Sequence, residues 1–141
     1  MSTLKKVVIS SKCENIQRVE REAEKWGKAL KLSQDELDSL AIAVTEVVAN
    51  AIFHGNKEDQ DKNVTVTFSI AGDELTVRIT DEGYGFDVKG IRDPLDPANL
   101  LKESGRGIFL VRNLVDEVDF KPSKKGTTVS LKIRRKSKTQ K

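Results

Sequence analysis

The chain has 141 residues, 37% of them hydrophobic, which suffices for one domain whose core needs no metal or disulfide. Its net charge of +3 does not indicate nucleic-acid binding, because aromatic residues are scarce and a basic tail supplies five of the cations: Arg134, Arg135, Lys136, Lys138 and Lys141. No consecutive apolar run approaches the roughly 20 residues that cross a bilayer, and the single cysteine, Cys13, fits a reducing cytoplasm. We therefore expect a cytoplasmic protein that contacts neither membrane nor nucleic acid.

The N-terminal part of the chain predicts a strand followed by a helix. Val7-Val8-Ile9 is expected to form a short strand. Ser11 and Glu14 have the spacing of a capping box, in which the hydroxyl accepts a helical N–H and the glutamate reaches back. The apolar residues that follow recur at the three-four spacing of a helix with one buried stripe: Ile16, Val19, Ala23, Trp26 and Leu30.

A second capping box, Ser33 with Glu36, opens a helix that is expected to run to about Phe53. Its apolar residues form two strips on nearly opposite sides: Leu37, Leu40, Ala41, Val44, Val48 and Ala51 on one, and Ile42, Ala49 and Phe53 on the other. A helix that is apolar on both sides is expected to be sandwiched inside the protein. Glu46 and Asn50 share the arc beside the second strip, where polar groups need partners.

Strict alternation then predicts a hairpin with one buried face, formed by Val64, Val66, Phe68 and Ile70 and by Leu75, Val77 and Ile79. Residues 88–104 hold two of the three prolines and have the length of a functional lid. Residues 108–115 are expected to form a short buried helix, and residues 117–121 and 127–134 a final hairpin.

The order β-α-α-β-β-lid-α-β-β predicts an α+β fold, a two-layer sandwich with a mixed, mostly antiparallel sheet and its helices on one face. The other sheet face is expected to be solvated or to meet a partner, because it carries polar side chains: Thr65, Thr67, Thr76, Arg78, Ser130 and Lys132. Since no repeat or linker is visible, we expect one domain at residues 1–134 and a basic disordered tail at 135–141.

Two segments suggest a bound nucleotide, and each also has an ordinary structural interpretation. Glu46 and Asn50 can hold a divalent ion, with the amide oxygen as ligand and the carboxylate acting through water or as a general base, or they can form a solvated polar strip. Asp81 precedes Gly83 and Gly85. It can accept a hydrogen bond from an exocyclic amine such as that of adenine, or the stretch can be an acidic glycine-rich turn.

Two further glycine segments lie downstream. Gly105-Arg106-Gly107 opens a helix, where free N–H groups and the helix dipole favour a phosphate, although glycines there also serve packing. Gly126 and Thr127, taken alone, indicate a β-turn and the start of a strand. The sequence contains neither a Walker A loop nor a Rossmann fingerprint.

In this order and spacing, the four segments resemble the N, G1, G2 and G3 boxes of the GHKL ATPases, which have the Bergerat fold: Glu46-Val-Val-Ala-Asn50, Asp81-Glu-Gly-Tyr-Gly85, Gly105-Arg-Gly107 and Gly126-Thr-Thr128. The resemblance runs from about residue 5 to residue 133. Within that superfamily the chain is most similar to the small bacterial anti-sigma-factor serine/threonine kinases, on account of its size and of the stretches 49–55 and 104–111.

The resemblance implies a site for ATP and Mg²⁺. Glu46 would be the catalytic base, Asn50 would bind Mg²⁺, and Asp81 would bond the adenine amino group, with Thr127 joining it through water. His54 would lie near the phosphates, although a histidine at a helix end can also serve only as a cap. The remaining cofactor-binding residues would be Gly83, Gly85, Phe86, Gly105, Arg106 and Gly107.

The function implied by the resemblance is that of an ATP-dependent serine/threonine kinase and anti-sigma factor. Such a protein phosphorylates an anti-anti-sigma protein of the STAS type, alternately holds a sigma factor, and forms a homodimer. Two alternatives remain open at this point. One is a non-catalytic ATP/ADP-dependent binding switch that exchanges protein partners, and the other is a stand-alone histidine-kinase-like catalytic domain.

Overall fold

The computed structural model describes residues 3–83, 110–123 and 125–136. Five strands of the described chain form one sheet in the order β1-β2-β3-β5-β4: β1 Thr3–Ser10, β2 Asn63–Ala71, β3 Glu74–Asp81, β4 Glu117–Ser123 and β5 Gly126–Arg134. Helices α1 (Ile16–Ala29) and α2 (Gln34–Asn50) pack on each other beside this sheet. The predicted two-layer α+β architecture is confirmed. Each described strand pair is antiparallel, so the mixed sheet that we allowed for is not found there.

The segment between β1 and α1 departs from the predicted capping box. Ser11 caps no helix, because its hydroxyl donates instead to the Lys62 carbonyl at 2.7 Å. A 3₁₀ turn, Cys13–Asn15, precedes α1 and has no side-chain cap. The Lys62 carbonyl, in a half-buried residue just before β2, therefore takes the hydroxyl that the local pattern assigned to the helix.

The predicted apolar stripe of α1 is confirmed. Val19, Ala23, Trp26 and Leu30 are buried in the core, and Ile16 packs against them. The Trp26 ring stacks on Phe68 of β2, with 5.9 Å between the ring centroids. This stripe therefore attaches α1 to the sheet.

Helix α2 begins as predicted but is buried on one side only. The Ser33 hydroxyl accepts the Glu36 N–H at 3.1 Å, and the Glu36 carboxylate accepts the Ser33 N–H at 2.7 Å, which completes a capping box. The buried face of α2 and of the turn after it comprises Leu40, Ala43, Val44, Val47, Val48, Ala51 and Ile52.

The prediction that α2 is sandwiched between two layers is wrong. Ile42 and Phe53, from the second apolar strip, are 51% and 40% exposed. A single broad face meets both α1 and the sheet, so the opposite strip stays at the surface. By length and composition, the stretch Gln34–Gly55 could cross a membrane, a test that the core helices of soluble proteins also pass.

The C-terminal hairpin is confirmed, with strands slightly longer than predicted. Pro122 lies within β4, where its missing N–H is tolerated because β4 is an edge strand of the sheet. The helix predicted over 108–115 does not reach its expected end. Leu110 and Val111 are helical, and turns follow them, with the Leu114 N–H donating to the Val111 carbonyl at 2.9 Å. The predicted lid, 88–104, lies outside the described residues.

The first two residues of the predicted tail are bonded to the domain. The Arg135 N–H donates to the Asp73 carbonyl at 2.8 Å. The Lys136 N–H donates to the Glu36 carboxylate at 3.0 Å, and its ammonium group bonds Asp116 at 2.8 Å. Residues 137–141 lie outside the described residues. The polar character of the outer sheet face is confirmed, since the six polar side chains predicted there are half-buried or exposed: Thr65, Thr67, Thr76, Arg78, Ser130 and Lys132.

Candidate functional site

Asp81 is a buried carboxylate at the end of β3, and it is 6% exposed. One of its oxygens, Oδ1, accepts two backbone N–H groups, from Gly83 at 3.0 Å and from Thr127 at 3.1 Å. Burial raises the pKa of the Asp81 carboxyl, and these two N–H groups and the charge of Lys62 counteract only part of that shift. The strand ends of β3 and β5 thus hold one oxygen in place and leave Oδ2 as the carboxylate's second acceptor.

Three glycines close around Asp81. A Cβ placed on Gly55 would overlap the Asp81 carboxylate, and one on Gly83 would overlap the Gly55 carbonyl. Gly126 has a φ of +147°, and a Cβ there would overlap the Asp81 carbonyl. A larger residue would require the backbone to move at Gly83 and Gly126 and the Asp81 side chain to move at Gly55. The sequence indicated Gly126 as a turn residue and placed Gly55 just after the expected end of the helix, whereas both also permit close approach to Asp81.

Asp81 and the three glycines against it, Gly55, Gly83 and Gly126, form a cradle. A π-helical turn, Ala51–Gly55, connects α2 to this cradle. The Asn56 N–H donates to the Ala51 carbonyl at 2.8 Å, which is the five-residue spacing of a π-turn. Such turns are rare and concentrate at functional sites. Here the turn brings the Gly55 backbone against Asp81, so the polar face of α2 and the end of β3 meet at one edge of the sandwich.

Glu46, Asn50 and His54 follow one another at four-residue intervals along that polar face. Glu46 and His54 are exposed, and Asn50 is half-buried. The Asn50 Oδ1 atom is buried and has no hydrogen-bond partner among the described residues. An unsatisfied buried acceptor costs about 1–3 kcal/mol, so its position suits a bound cation or water.

The described residues fit Mg²⁺ as an ion held mainly by a ligand rather than by the protein. They contain no group of three or more His, Cys, Asp or Glu side chains that could form a protein cage. Mg²⁺ characteristically takes one or two protein oxygens and completes its octahedron with waters and phosphates. The single Asn50 oxygen meets that requirement.

The structure therefore brings together Asp81, Gly83 and Thr127, and it places Asn50 one π-turn away. Thr127 is buried, and its backbone bonds Asp81, while a water-mediated role for its side chain stays a prediction. Five predicted site residues lie outside the described residues, so their roles also stay predictions: Gly85, Phe86, Gly105, Arg106 and Gly107.

Sequence reasoning missed Asn56, a fully buried side chain beside the cradle. Its Oδ1 accepts the Glu82 N–H at 2.8 Å, and its Nδ2 donates to the Ser11 hydroxyl at 2.9 Å and to the Asn63 carbonyl at 3.0 Å. A lone asparagine after a helix-ending glycine reads as an exposed turn residue. No pattern in the neighbouring sequence announces its burial.

The fold and the site at Asp81 place the protein among two-layer α+β sandwiches that have a glycine-lined acidic site at the end of a core helix. Residues 9–133 match the family of histidine kinase-like ATPase domains. The chain belongs to that family, and membership of an ATPase family implies that it binds ATP.

Named relatives agree with the similarity seen in the sequence motifs. Serine-protein kinase RsbW of Bacillus subtilis is 36% identical over 103 residues, which are 69% of this chain and 64% of the relative. RsbW of Staphylococcus epidermidis is 35% identical over 107 residues, 70% of this chain and 66% of the relative. The resemblance to the anti-sigma-factor serine kinases is thus confirmed, with the aligned part spanning just under two thirds of each relative.

Solved structures show the same fold. The RsbU and RsbW domains of Rv1364c from Mycobacterium tuberculosis superpose with a TM-score of 0.68 and 19% identity, covering 94% of this chain and 32% of that one. A blue-light-activated histidine kinase from Erythrobacter litoralis gives a TM-score of 0.59 and 22% identity, covering 76% of this chain and 33% of that one. At these identities the likeness concerns the fold alone.

Proposed function

We propose that this chain is a cytoplasmic, ATP-dependent serine/threonine protein kinase that acts as an anti-sigma factor and phosphorylates a STAS-type anti-anti-sigma protein. The Asp81 cradle supports the nucleotide part of the proposal, because it presents a buried carboxylate oxygen at the end of β3 within a domain of the ATPase family. The similarity to serine-protein kinases named RsbW supports the acceptor part. A sigma factor as alternate partner and a homodimer follow from the same family analogy.

In this proposal each described residue has one task. Asp81 Oδ2 accepts the adenine amino group, since Oδ1 is already occupied by two backbone donors. The Asn50 oxygen binds Mg²⁺, which, when bound, would neutralise charge on the phosphates. Glu46 takes the proton of the attacking serine or threonine hydroxyl. The new bond joins that oxygen to the γ-phosphorus, the bond to the β-phosphate oxygen breaks, and ADP leaves.

The exposure of Glu46 suits an acceptor that is itself a protein. Glu46 lies on the same outer side of α2 as Ile42 and Phe53, two large apolar side chains that are 51% and 40% exposed. A general base must come within hydrogen-bond reach of the hydroxyl that it deprotonates. A base on an open helix face can be reached by a serine on another folded protein, whereas a base in a closed pocket cannot.

Phosphate transfer from radiolabelled Mg²⁺–ATP to STAS-type proteins tests the proposal. We expect the wild type to label a serine or threonine and Glu46→Ala to lose at least about 100-fold of the rate, the usual contribution of a general base. Glu58→Ala is the matched control, since Glu58 is an exposed carboxylate beyond the π-turn. Undiminished labelling by Glu46→Ala would contradict the role of that residue, and acid-labile labelling of a histidine would identify the protein as a histidine kinase instead.

A non-catalytic binding switch predicts a different pattern in the same variants. Partner exchange would then depend on ATP or ADP and persist in Glu46→Ala, but it would be lost in Asn50→Ala. Measuring partner binding with each nucleotide alongside the transfer assay separates the two functions.

A further inference from the structure

Asn56 joins three separate parts of the chain through one buried amide. It accepts from Glu82, which directly follows Asp81, and it donates to Ser11 after β1 and to Asn63 at the start of β2. The Ser11 hydroxyl in turn donates to the Lys62 carbonyl at 2.7 Å. Asn56 is 0% exposed, so its amide group is shielded from water and depends on these partners for its hydrogen bonds.

The donor and the acceptor of the Asn56 amide bind different parts of the protein. The donor end, Nδ2, ties β1 to β2, a contact within the scaffold. The acceptor end, Oδ1, holds the Glu82 N–H and thereby the backbone between Asp81 and Gly83. Gly83 supplies one of the two N–H groups that fix the Asp81 carboxylate. The acceptor end therefore acts on the site, and the donor end acts on the scaffold.

We infer that Asn56 is a positioning residue that sets the direction of the Asp81 carboxylate and with it the site's preference for adenine over guanine. The inference rests on the proposed binding of the base at Asp81. Adenine presents an amino donor where guanine presents a carbonyl acceptor, so an immobile carboxylate oxygen attracts the first and repels the second. If the loop at Glu82 is released, Gly83 no longer fixes the carboxylate, which then keeps only the bond from the Thr127 N–H and can turn about it to admit either base.

Three variants separate this role from a purely structural one. Asn56→Ala removes both ends of the amide, and Ser11→Ala removes a scaffold bond while leaving the bond to Glu82 intact. Asn56→Asp keeps an acceptor for the Glu82 N–H but removes the donors. The dissociation constants of ATP and GTP are measured by calorimetry with the full chain, at a temperature where circular dichroism shows each variant folded.

We expect Asn56→Ala to bind ATP about tenfold more weakly and to lose about tenfold of its ATP-to-GTP preference, the value of one hydrogen bond of about 1.4 kcal/mol. Ser11→Ala should melt at a lower temperature and keep the wild-type preference. Asn56→Asp should also be less stable and keep the preference, because its oxygen still holds Glu82.

The preference ratio decides the outcome. An unchanged ratio in Asn56→Ala overturns the inference, and so does a ratio that falls equally in Ser11→Ala. If Asn56→Ala does not fold, Asn56→Asp decides: a retained ratio supports the inference, and a collapsed ratio overturns it. A wild type that binds no ATP overturns the proposed function together with the inference, a result that cannot be confused with the others.

Discussion

Replacing Asp81 by asparagine separates what this residue does for the nucleotide from what it does for the fold. The asparagine oxygen can still accept the N–H groups of Gly83 and Thr127, which lie 3.0 and 3.1 Å from Oδ1 of Asp81 in the wild type. The exchanged atom is Oδ2, where an NH₂ donor would face the adenine amine. A hydrogen bond to a charged group contributes about 1.5–3 kcal/mol, and two facing donors add an unfavourable contact. We therefore expect ATP to bind Asp81→Asn at least about 100-fold more weakly.

At neutral pH, Asp81→Asn should be at least as stable as the wild type, although its ATP affinity falls. Burial raises the pKa of Asp81 above its ordinary value of 3.8, so its contribution to stability is fully present below pH 3.8 and is lost as the pH rises through the raised pKa. At pH 7 the wild type carries the cost of a buried charge that Asp81→Asn lacks. We expect the variant to unfold in urea at the same or a higher concentration than the wild type at pH 7, with the difference shrinking as the pH falls.

The ATP affinity is measured by calorimetric titration. The stability of the same samples is measured by urea unfolding between pH 4 and pH 8. Asp119→Asn is the matched control, because it removes an equal charge from an exposed position on the edge strand β4. ATP binding by Asp81→Asn within about threefold of the wild type would refute the assignment of Oδ2 to adenine. A stability difference that grows as the pH falls would refute the explanation from burial.

Three other variants test separate parts of the structure. Asn50→Ala should abolish the difference between the ATP affinities measured with Mg²⁺ and with EDTA, and a difference that survives would exclude Asn50 as the ligand. Gly83→Ala should weaken ATP binding about tenfold or more, since its Cβ would overlap the Gly55 carbonyl, and unchanged calorimetric affinity would show that the loop can yield. Ser33→Ala should lower the free energy of unfolding in urea by about 1 kcal/mol without affecting ATP affinity, because it removes a helix cap far from the site.

The sequence predicted those features whose causes lie within a few residues. The box of Ser33 and Glu36 and the alternation in β2 and β3 are local, and the structure confirms both. The box at Ser11 has the same local form and fails, because the Lys62 carbonyl, 51 residues away, competes for the hydroxyl. A pattern of four residues carries no information about such a competitor.

The same limit explains which parts of the candidate site could be predicted. Asp81 and Asn50 were found because a charge before glycines and an amide in an apolar helix are unusual within their own segments. Asn56 was missed because its hydrogen bond with the Glu82 N–H joins residues that are 26 positions apart. The role of Gly55 was missed as well, since its contact with Asp81 exists only after the helix and the sheet have packed together.

The polar groups of Asp81 and Asn50 differ from the neighbouring hydrogen-bond network of Asn56 in the way that is expected of a binding site. Asp81 holds a buried carboxyl with a raised pKa, and Asn50 holds a buried oxygen without a partner among the described residues. Asn56, in the neighbouring network, uses its acceptor and both donors. Because buried polar groups in folded proteins are normally satisfied, the one unsatisfied oxygen of Asn50 beside a fully satisfied network is not explained by loose folding. A cation coordinated by the Asn50 oxygen and a ligand that donates a hydrogen bond to Asp81 would complete the site.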